Sequence, residues 1–226
     1  MAERDTDAIL FDIDGTLIST GGASDRAWKR AFKELQGVDV DVPAVTGKGV
    51  PDPAVGRVVF EKAIGREPTE EEADALMRRR LDHLKEEVDN SPGYVVKDGV
   101  VELLDRLIDD GILLGLTTGN VEEAAHIKLA RAGLNRYFAF GGYGSDSPDR
   151  TELTKKSLER AELVSGNSLD PKRCFSCGDT PRDVEAGHGA GLRVVGVATG
   201  EFTVEELREA GADAVISSFR EGLPLL

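Results

Sequence analysis

Short runs of apolar residues alternate with longer segments of helical spacing along most of the chain. Continuous apolar runs of about four to eight residues are typical of strands buried in a parallel sheet. Such runs occupy Ala8–Phe11, Leu113–Leu116, Tyr137–Phe140, Cys174–Cys177, Val194–Val197 and Ala214–Ile216. Helical spacing occurs between them at Val100–Asp110, Glu122–Ala132, Glu152–Leu163 and Val204–Ala210. This alternation predicts βαβ units, and therefore an α/β fold with a parallel sheet.

The segment from residue 19 to residue 91 breaks this alternation. It contains no convincing strand and has helical spacing at Ala23–Leu35, Ala54–Ile64 and Glu70–Val88. The last helix follows Thr69 in the spacing of a capping box, and its charged run Met77–Arg80 is interpreted as a solvent-facing surface. We therefore predict a core domain of residues 1–18 and 92–226, with a helical cap domain of residues 19–91 inserted after the first strand.

Composition and charge narrow the classes of partner. The 226 residues are 40% hydrophobic and 31% charged, as in ordinary globular proteins. Lysine and arginine number 28 against 42 acidic residues, a formal net charge of −14, and no basic run suggests nucleic acid as a partner. The apolar runs are too short to cross a bilayer and no signal segment follows the N-terminus, so we expect a cytoplasmic protein without membrane contact. Both a monomer and a homodimer are compatible with the sequence.

Two aspartates follow the first predicted strand directly, in the segment Phe11-Asp12-Ile13-Asp14-Gly15-Thr16-Leu17. Open α/β sheets bind ligands at the carboxyl ends of their strands, where a loop can direct both carboxylates at one small volume. One carboxylate can there attack phosphorus and form an acyl phosphate, which splits hydrolysis into two easier steps. The second carboxylate can protonate the leaving oxygen and later deprotonate water. Taken alone, the motif is also compatible with a polar turn.

A second acidic pair, Asp179 and Asp183, follows the strand predicted at Cys174–Cys177. Pro181 between them suits the first turn of a helix, so an aspartate cap with a solvated partner is the alternative interpretation. Hard oxygen ligands gathered from two strand ends are typical of a Mg²⁺ site. A magnesium ion beside Asp12 would offset the repulsion between that carboxylate and a substrate phosphate. The sequence therefore predicts Mg²⁺ as the cofactor.

Groups able to bind phosphate follow the second and third strands. The segment Thr117-Thr118-Gly119-Asn120 offers hydroxyl and backbone N–H donors at the start of a helix. Arg150 offers a cation after the third strand, whereas Lys155 and Lys156 lie deeper in the next helix. Each feature alone is also typical of a turn or a surface. Their shared position after apolar strands indicates one site.

These four motifs, in this order, resemble the haloacid dehalogenase superfamily, and most of all its phosphoglycolate phosphatase-like branch, over essentially the whole chain. The resemblance implies a Rossmann-like core with a helical cap, and a small phosphorylated metabolite as the substrate. It also implies that Asp12 is the nucleophile and Asp14 the acid and base. By the same resemblance, phosphate is bound by Thr118, rather than Thr117, together with Gly119 and Asn120. The implied ligands of Mg²⁺ are the Asp12 carboxylate, the Asp14 carbonyl, Asp179 and, through water, Asp183.

Two further positions depend on the same resemblance. The family usually has lysine at its third motif, whereas this chain has Arg150, which keeps the charge but is not a neutral exchange. The segment Thr46-Gly47-Lys48-Gly49-Val50 resembles the substrate-specificity loop of the family's cap. We therefore predict that Arg150 binds phosphate and that Lys48 contacts the leaving group, although a solvated lysine in a turn is the alternative.

Three other activities fit parts of this pattern. A haloacid dehalogenase lacks the second aspartate, so Asp14 argues against that activity. A phosphosugar mutase shares every core motif, and the sequence leaves it open. A non-enzymatic binding module would be expected to lose one of the carboxylates. The sequence therefore predicts a Mg²⁺-dependent phosphatase that forms an aspartyl phosphate on Asp12.

Overall fold

The molecule is built on a six-stranded parallel β-sheet. The computed structural model describes residues 6–47 and 49–224. Its strands are β1 (Ala8–Phe11), β2 (Ile18–Ser19), β3 (Val95–Val96), β4 (Leu113–Thr118), β5 (Phe140–Tyr143), β6 (Cys174–Gly178), β7 (Arg193–Val197) and β8 (Ala214–Ile216). The large sheet has the order β5-β4-β1-β6-β7-β8, and β2 and β3 form a separate antiparallel pair. The predicted α/β fold is confirmed.

Helices cover both faces of this sheet. They are α1 (Ala23–Gln36), α2 (Asp52–Ile64), α3 (Glu70–Asn90), α4 (Val100–Asp109), α5 (Glu122–Ala130), α6 (Arg150–Ser165), α7 (Pro181–Gly189) and α8 (Val204–Glu209). Within β1, Ile9 and Phe11 pack in one hydrophobic cluster with Leu104 of α4, whereas Leu10 packs in another with Ala161 of α6. Because successive side chains of a strand point to opposite faces, a strand covered on both sides is apolar throughout.

The third core strand lies further along the chain than its apolar run predicts. The run Tyr137–Phe140 was the predicted strand, but residues Leu134–Tyr137 form a short 3₁₀ helix and β5 begins only at Phe140. The strand continues through two glycines because α6 packs closely on it: a Cβ on Gly142 would lie 1.8 Å from the carbonyl oxygen of Leu153. Because the glycines interrupt the run of apolar residues, the predicted start of this strand at Tyr137 was wrong by three residues.

Helices α1, α2 and α3 form the inserted segment. They have a hydrophobic cluster of their own that includes Trp28, Phe32, Val59, Phe60 and Leu76. The predicted capping box is confirmed, since the Thr69 side chain accepts from the Glu72 N–H. The interpretation of Met77–Arg80 as solvent-facing was wrong at its last residue, because Arg80 is fully buried. The division into core and cap domains stays a prediction.

The chain leaves the core and returns to it at one place. A Cβ on Gly21 would lie 2.5 Å from the Cα of Gly93, so the outgoing and returning segments are in direct contact. The Ser91 hydroxyl donates to the carbonyl oxygen of Thr20 at 2.7 Å. These contacts hold the outgoing and the returning segment together beside β2 and β3.

Among residues 6–47 and 49–224, no helix has both the length and the apolar composition that a membrane-spanning segment needs.

Candidate active site

The carboxyl ends of β1 and β6 bring the two acidic motifs together. Asp12 follows the last residue of β1, and Asp179 follows the last residue of β6. The strands are adjacent, and the Asp12 N–H donates to the Cys177 carbonyl oxygen at 2.9 Å. The chain runs from β1 to β4 on one side of the sheet and from β6 to β7 on the other, so the connections that leave these two neighbouring strands diverge. Open α/β sheets bind their ligands at such a switch point.

Three carboxylates form a buried cluster at this point. Oxygens of Asp12, Asp179 and Asp183 all lie within 4.8 Å of one another, and each residue is at most 6% exposed. Burial and repulsion from Asp183 raise the pKa of Asp12 well above its ordinary value. The same two causes raise the pKa of Asp179 to about 7. The cluster therefore favours uptake of positive charge, as protons or as a cation.

Two glycines let the surrounding loops close on Asp179. A Cβ on Gly200, just after β7, would lie 1.6 Å from the Asp179 Oδ2 atom, and one on Gly15 would lie 2.2 Å from it. Gly15 also has a φ of 90°, which favours glycine. The Thr16 hydroxyl donates to Asp179 Oδ1 at 3.1 Å. Asp179 is thus held in place by the loops that follow two different strands.

Arg150, the first residue of α6, contacts this cluster. Its Nη2 donates to the carboxylate of Asp183, and to Asp12 Oδ1 at 3.3 Å. Its Nη1 donates to the Gly49 carbonyl oxygen at 3.2 Å. The Arg150 Nε is buried and has no hydrogen-bond partner within the described part of the chain. The other Asp183 oxygen accepts from the Thr180 hydroxyl and N–H in a capping box of α7.

Of the two threonines at the end of β4, Thr118 faces the site. It lines the central cavity, and its Oγ1 accepts from the Asn120 Nδ2 at 2.8 Å. Thr117 instead forms a hydrogen bond of 2.7 Å with Thr154 of α6. The two side chains point to opposite faces because they are neighbours on a strand. Gly119 and Asn120 line the cavity beside Thr118.

The Asp14 carboxylate lies apart from the acidic cluster and has its own cation. The Lys128 Nζ donates to Asp14 Oδ2 at 2.6 Å, and the Asn120 Nδ2 donates to the same oxygen at 2.8 Å. Burial alone would raise the pKa of Asp14, but the charge of Lys128 and these two hydrogen bonds outweigh it and lower the pKa. Asp14 is thus favoured as a carboxylate in an environment opposite to that of Asp12.

These groups open into one cavity of about 680 Å³. The residues that line the core side of the cavity include Asp12, Asp14, Thr118, Gly119, Asn120, Lys128, Arg150, Asp179 and Asp183. The inserted segment supplies the opposite wall, with Trp28, Val42, Pro43, Thr46 and Val55 among its residues. Lys48 lies outside the described residues, so its contact with a leaving group stays a prediction, although its neighbours Gly47 and Gly49 line the cavity.

Comparison with known proteins places this site in a family. A model of the haloacid dehalogenase-like hydrolases matches residues 6–191, well over half of the chain. The chain belongs to the haloacid dehalogenase-like hydrolases. The resemblance inferred from the motifs is therefore confirmed.

Relatives of this hydrolase are similar along nearly their whole length. A phosphoglycolate phosphatase from Mesorhizobium japonicum is 33% identical over 223 residues, which cover 93% of this chain and 90% of the relative. A predicted phosphoglycolate phosphatase from Haemophilus somnus has a similar structure, with a TM-score of 0.75, 21% identity and 97% of each chain covered. A β-phosphoglucomutase from Clostridium difficile has a TM-score of 0.70 at 20% identity, over 97% of this chain and 94% of the other. At such identities the structures show a shared fold.

Sequence reasoning missed two residues of this haloacid dehalogenase-like site. Lys128 is a single lysine between Ile127 and Leu129, and this apolar context was the available signal. Asp52, at the start of α2, joins the inserted segment to the core: its N–H donates to the Gly119 carbonyl oxygen at 2.7 Å, and its Oδ2 accepts from the Val121 N–H at 3.1 Å. No local pattern marked Asp52, because its partners lie far along the chain.

The acidic cluster fits a divalent cation. Its donors are carboxylate oxygens, which Mg²⁺ prefers in proteins. Among the described residues, only Arg150 gives the three carboxylates a direct cationic contact. Burial and repulsion between the carboxylates raise the pKa values of Asp12 and Asp179. More positive charge than Arg150 supplies is therefore needed to keep all three carboxylates ionised. The residues present therefore match a Mg²⁺ site in donor type and in charge.

Proposed function

We propose that this protein is a Mg²⁺-dependent phosphatase that hydrolyses a small phosphorylated metabolite through an aspartyl phosphate on Asp12. The observation that carries the proposal is the meeting of both acidic motifs, Arg150 and Thr118 in one cavity at the switch point of the sheet. Full-length similarity to a phosphoglycolate phosphatase supports it. Family membership alone would not be enough, because one fold supports many activities.

In the first half-reaction, a carboxylate oxygen of Asp12 attacks phosphorus and forms the aspartyl phosphate. The bond from phosphorus to the leaving oxygen breaks with its electron pair. Asp14, which has to take up a proton against the charge of Lys128 before this step, delivers that proton to the leaving oxygen. Arg150 and the Thr118 hydroxyl would donate to the phosphoryl oxygens, and Gly119 and Asn120 line the cavity beside them. The unpartnered Nε of Arg150 supports this role, since an anion in the cavity could accept from it.

In the second half-reaction, Asp14 has become a carboxylate and acts as the base. It takes a proton from water, the water oxygen bonds to phosphorus, and the bond between phosphorus and Asp12 breaks. Asp12 is then a free carboxylate and Asp14 carries the proton again, so both groups return to their starting forms. The charge of Lys128 beside Asp14 favours the ionised form that this step needs.

Mg²⁺ would be held by the carboxylates of Asp12 and Asp179, by the Asp14 backbone carbonyl and, through water, by Asp183. When bound, it would supply the positive charge that lets the Asp12 carboxylate approach a phosphate. Its ligands come from the loops after β1 and β6, so the ion would also join the two acidic motifs.

The proposal is tested by p-nitrophenyl phosphate hydrolysis with Mg²⁺ and with EDTA, followed by a panel of phosphorylated metabolites. We expect hydrolysis only with Mg²⁺, and at least a 10³-fold loss of kcat in Asp12→Asn, because the nucleophile is removed. Asp89→Asn is the matched control, since Asp89 is exposed on α3. Hydrolysis that persists in EDTA or in Asp12→Asn would contradict the mechanism.

A phosphosugar mutase remains the alternative within the same family, in keeping with the β-phosphoglucomutase fold. A mutase returns the phosphoryl group to a sugar hydroxyl, whereas a phosphatase transfers it to water. Measuring inorganic phosphate released per molecule of sugar phosphate consumed separates the two, and we expect one phosphate for each substrate.

A further inference from the structure

The Lys128 side chain belongs to the wall of the active-site cavity. The residue is 2% exposed, and its Nζ lies 2.6 Å from Asp14 Oδ2 and 2.6 Å from Asn120 Oδ1. Side chains on a helix lean toward its N-terminus, which brings the ammonium group of this α5 residue back to the strand ends. A buried ammonium group is costly unless it is paired. Since the two partners of Lys128 are site residues, a role in the site explains its burial.

Lys128 also sets the orientation of the Asn120 amide. An ammonium group can only donate hydrogen bonds, so Asn120 has to present its Oδ1 to Lys128. The Nδ2 of Asn120 then faces the other way, toward Asp14 Oδ2 at 2.8 Å and Thr118 Oγ1 at 2.8 Å. One lysine thus directs two donors, its own and that of Asn120, to the same oxygen of Asp14.

Donors on one oxygen of Asp14 leave the other oxygen for the substrate. The Asp14 side chain is 39% exposed to the cavity, whereas that of Lys128 is 3% exposed. We propose that Lys128 is a positioning residue, which clamps Oδ2 of Asp14 so that Oδ1 points at the leaving-group oxygen of a phosphate ester. Proton transfer depends on such placement, because the donor has to lie within hydrogen-bond reach of its acceptor. The inference rests on the phosphatase function proposed above.

A misdirected acid has a characteristic kinetic effect. A p-nitrophenolate leaving group is a stable anion and needs little protonation, whereas phenolate and benzyl alkoxide are progressively more basic. Loss of a well-placed acid therefore slows cleavage of the poorer leaving groups selectively. A lysine that only supports the fold, or only binds phosphate, would affect all three esters alike. The kcat/KM ratio is the appropriate quantity, because it covers the steps up to cleavage of the ester bond.

The experiment measures kcat/KM with Mg²⁺ for p-nitrophenyl, phenyl and benzyl phosphate. We expect Lys128→Met to lose about 10- to 100-fold more on benzyl phosphate than on p-nitrophenyl phosphate, since a positioned acid contributes about 10²- to 10⁴-fold. Lys128→Gln is measured as well, because its amide can still donate; it should fold if the methionine variant does not, and should show a smaller loss of the same kind. Lys155→Met, at an exposed lysine of α6, is the matched control.

Asp14→Asn provides the second arm. It should show the same selective loss, and adding Lys128→Met to it should increase that selectivity no further, because both changes act through one group. Equal losses on the three esters in the Lys128 variants, or selective losses that multiply in the double variant, would overturn the inference. If the wild-type protein hydrolyses none of the esters, the proposed phosphatase function fails and the inference fails with it.

Discussion

Replacing Arg80 by methionine would remove the positive partner of a carboxylate that has almost no contact with water. The Nη1 and Nη2 atoms of Arg80 donate to the two oxygens of Asp52, each at 3.0 Å. Arg80 is fully buried and Asp52 is 7% exposed. The guanidinium also lies 5.1 Å from the centre of the Trp28 ring. Because Asp52 joins the inserted segment to the loop after β4, this perturbation should affect both stability and substrate binding.

The magnitude follows from what is left behind. Removing one partner of a buried ion pair typically costs about 3–5 kcal/mol, because an unpaired charge stays buried. Asp52 would keep the hydrogen bond from the Val121 N–H, which places the expected cost at the lower end of that range. For a chain of this size the melting temperature should fall by roughly 6–12 °C. The pair itself contributes much less, since both charges are desolvated and the Nε of Arg80 has no described partner.

The assay is unfolding by urea and by heat, followed by circular dichroism. The matched control is Arg79→Met at the neighbouring arginine, whose side chain is 41% exposed. This change should cost no more than about 1 kcal/mol. Asp52→Asn combined with Arg80→Met should recover part of the loss, because the remaining partner is then neutral. KM for the best substrate should rise in Arg80→Met, since the Asp52 contact with the Gly119 segment is loosened.

Equal stability of the Arg79 and Arg80 variants would refute the reasoning. The same holds if the double variant is less stable than Arg80→Met alone, because the cost would then not come from the unpaired Asp52 carboxylate.

Two further predictions concern the acidic cluster. In Gly200→Ala the new Cβ would overlap the Asp179 carboxylate. Mg²⁺ affinity measured by calorimetry should therefore fall at least 10-fold, while the circular dichroism spectrum stays unchanged. Unaltered affinity would contradict the proposed ligand set. The raised pKa values of Asp12 and Asp179 mean that the metal-free folded state holds protons that the unfolded state releases near pH 4. Thermal melts in EDTA should therefore show stability falling from about pH 5 to pH 7, with Mg²⁺ restoring most of it at the upper end, and a flat profile would argue against these shifts.

The position of the main site could be predicted because its residues lie next to strands. Asp12 directly follows an apolar run, Asp179 follows another after one glycine, and the carboxyl ends of parallel strands meet at one edge of the sheet. The predicted order of strand and helix was therefore enough to bring the two acidic motifs together. Arg150 was predicted by the same reasoning, although the strand before it lies three residues further along the chain than predicted. The prediction was not affected, because α6 begins at Arg150 and so places this residue after the strand end.

Buried charges on helices could not be predicted in this way. Lys128 and Arg80 lie in helical segments where a charged residue is usually solvated. Their burial depends on partners 114 and 28 positions away, Asp14 and Asp52. Hydrophobic periodicity reports which face of a helix is apolar, but it does not report a distant carboxylate that can pair with one charge on that face. Only the packed structure identifies such pairs.

Local charge explains how an acidic protein can attract an anionic substrate. The formal charge of −14 acts over the surface, and salt screens such charges beyond about 8 Å at physiological ionic strength. At the strand ends, the four carboxylates of Asp12, Asp14, Asp179 and Asp183 lie beside the two cations Arg150 and Lys128, and the rest of the cavity lining adds Asp25, Asp52, Glu201 and Lys97. A bound divalent cation would balance the charges at the strand ends, and a proton on Asp14 would make that group of residues positive. On this account substrate affinity depends on the metal and on Asp14, and exchanging surface carboxylates would change it little.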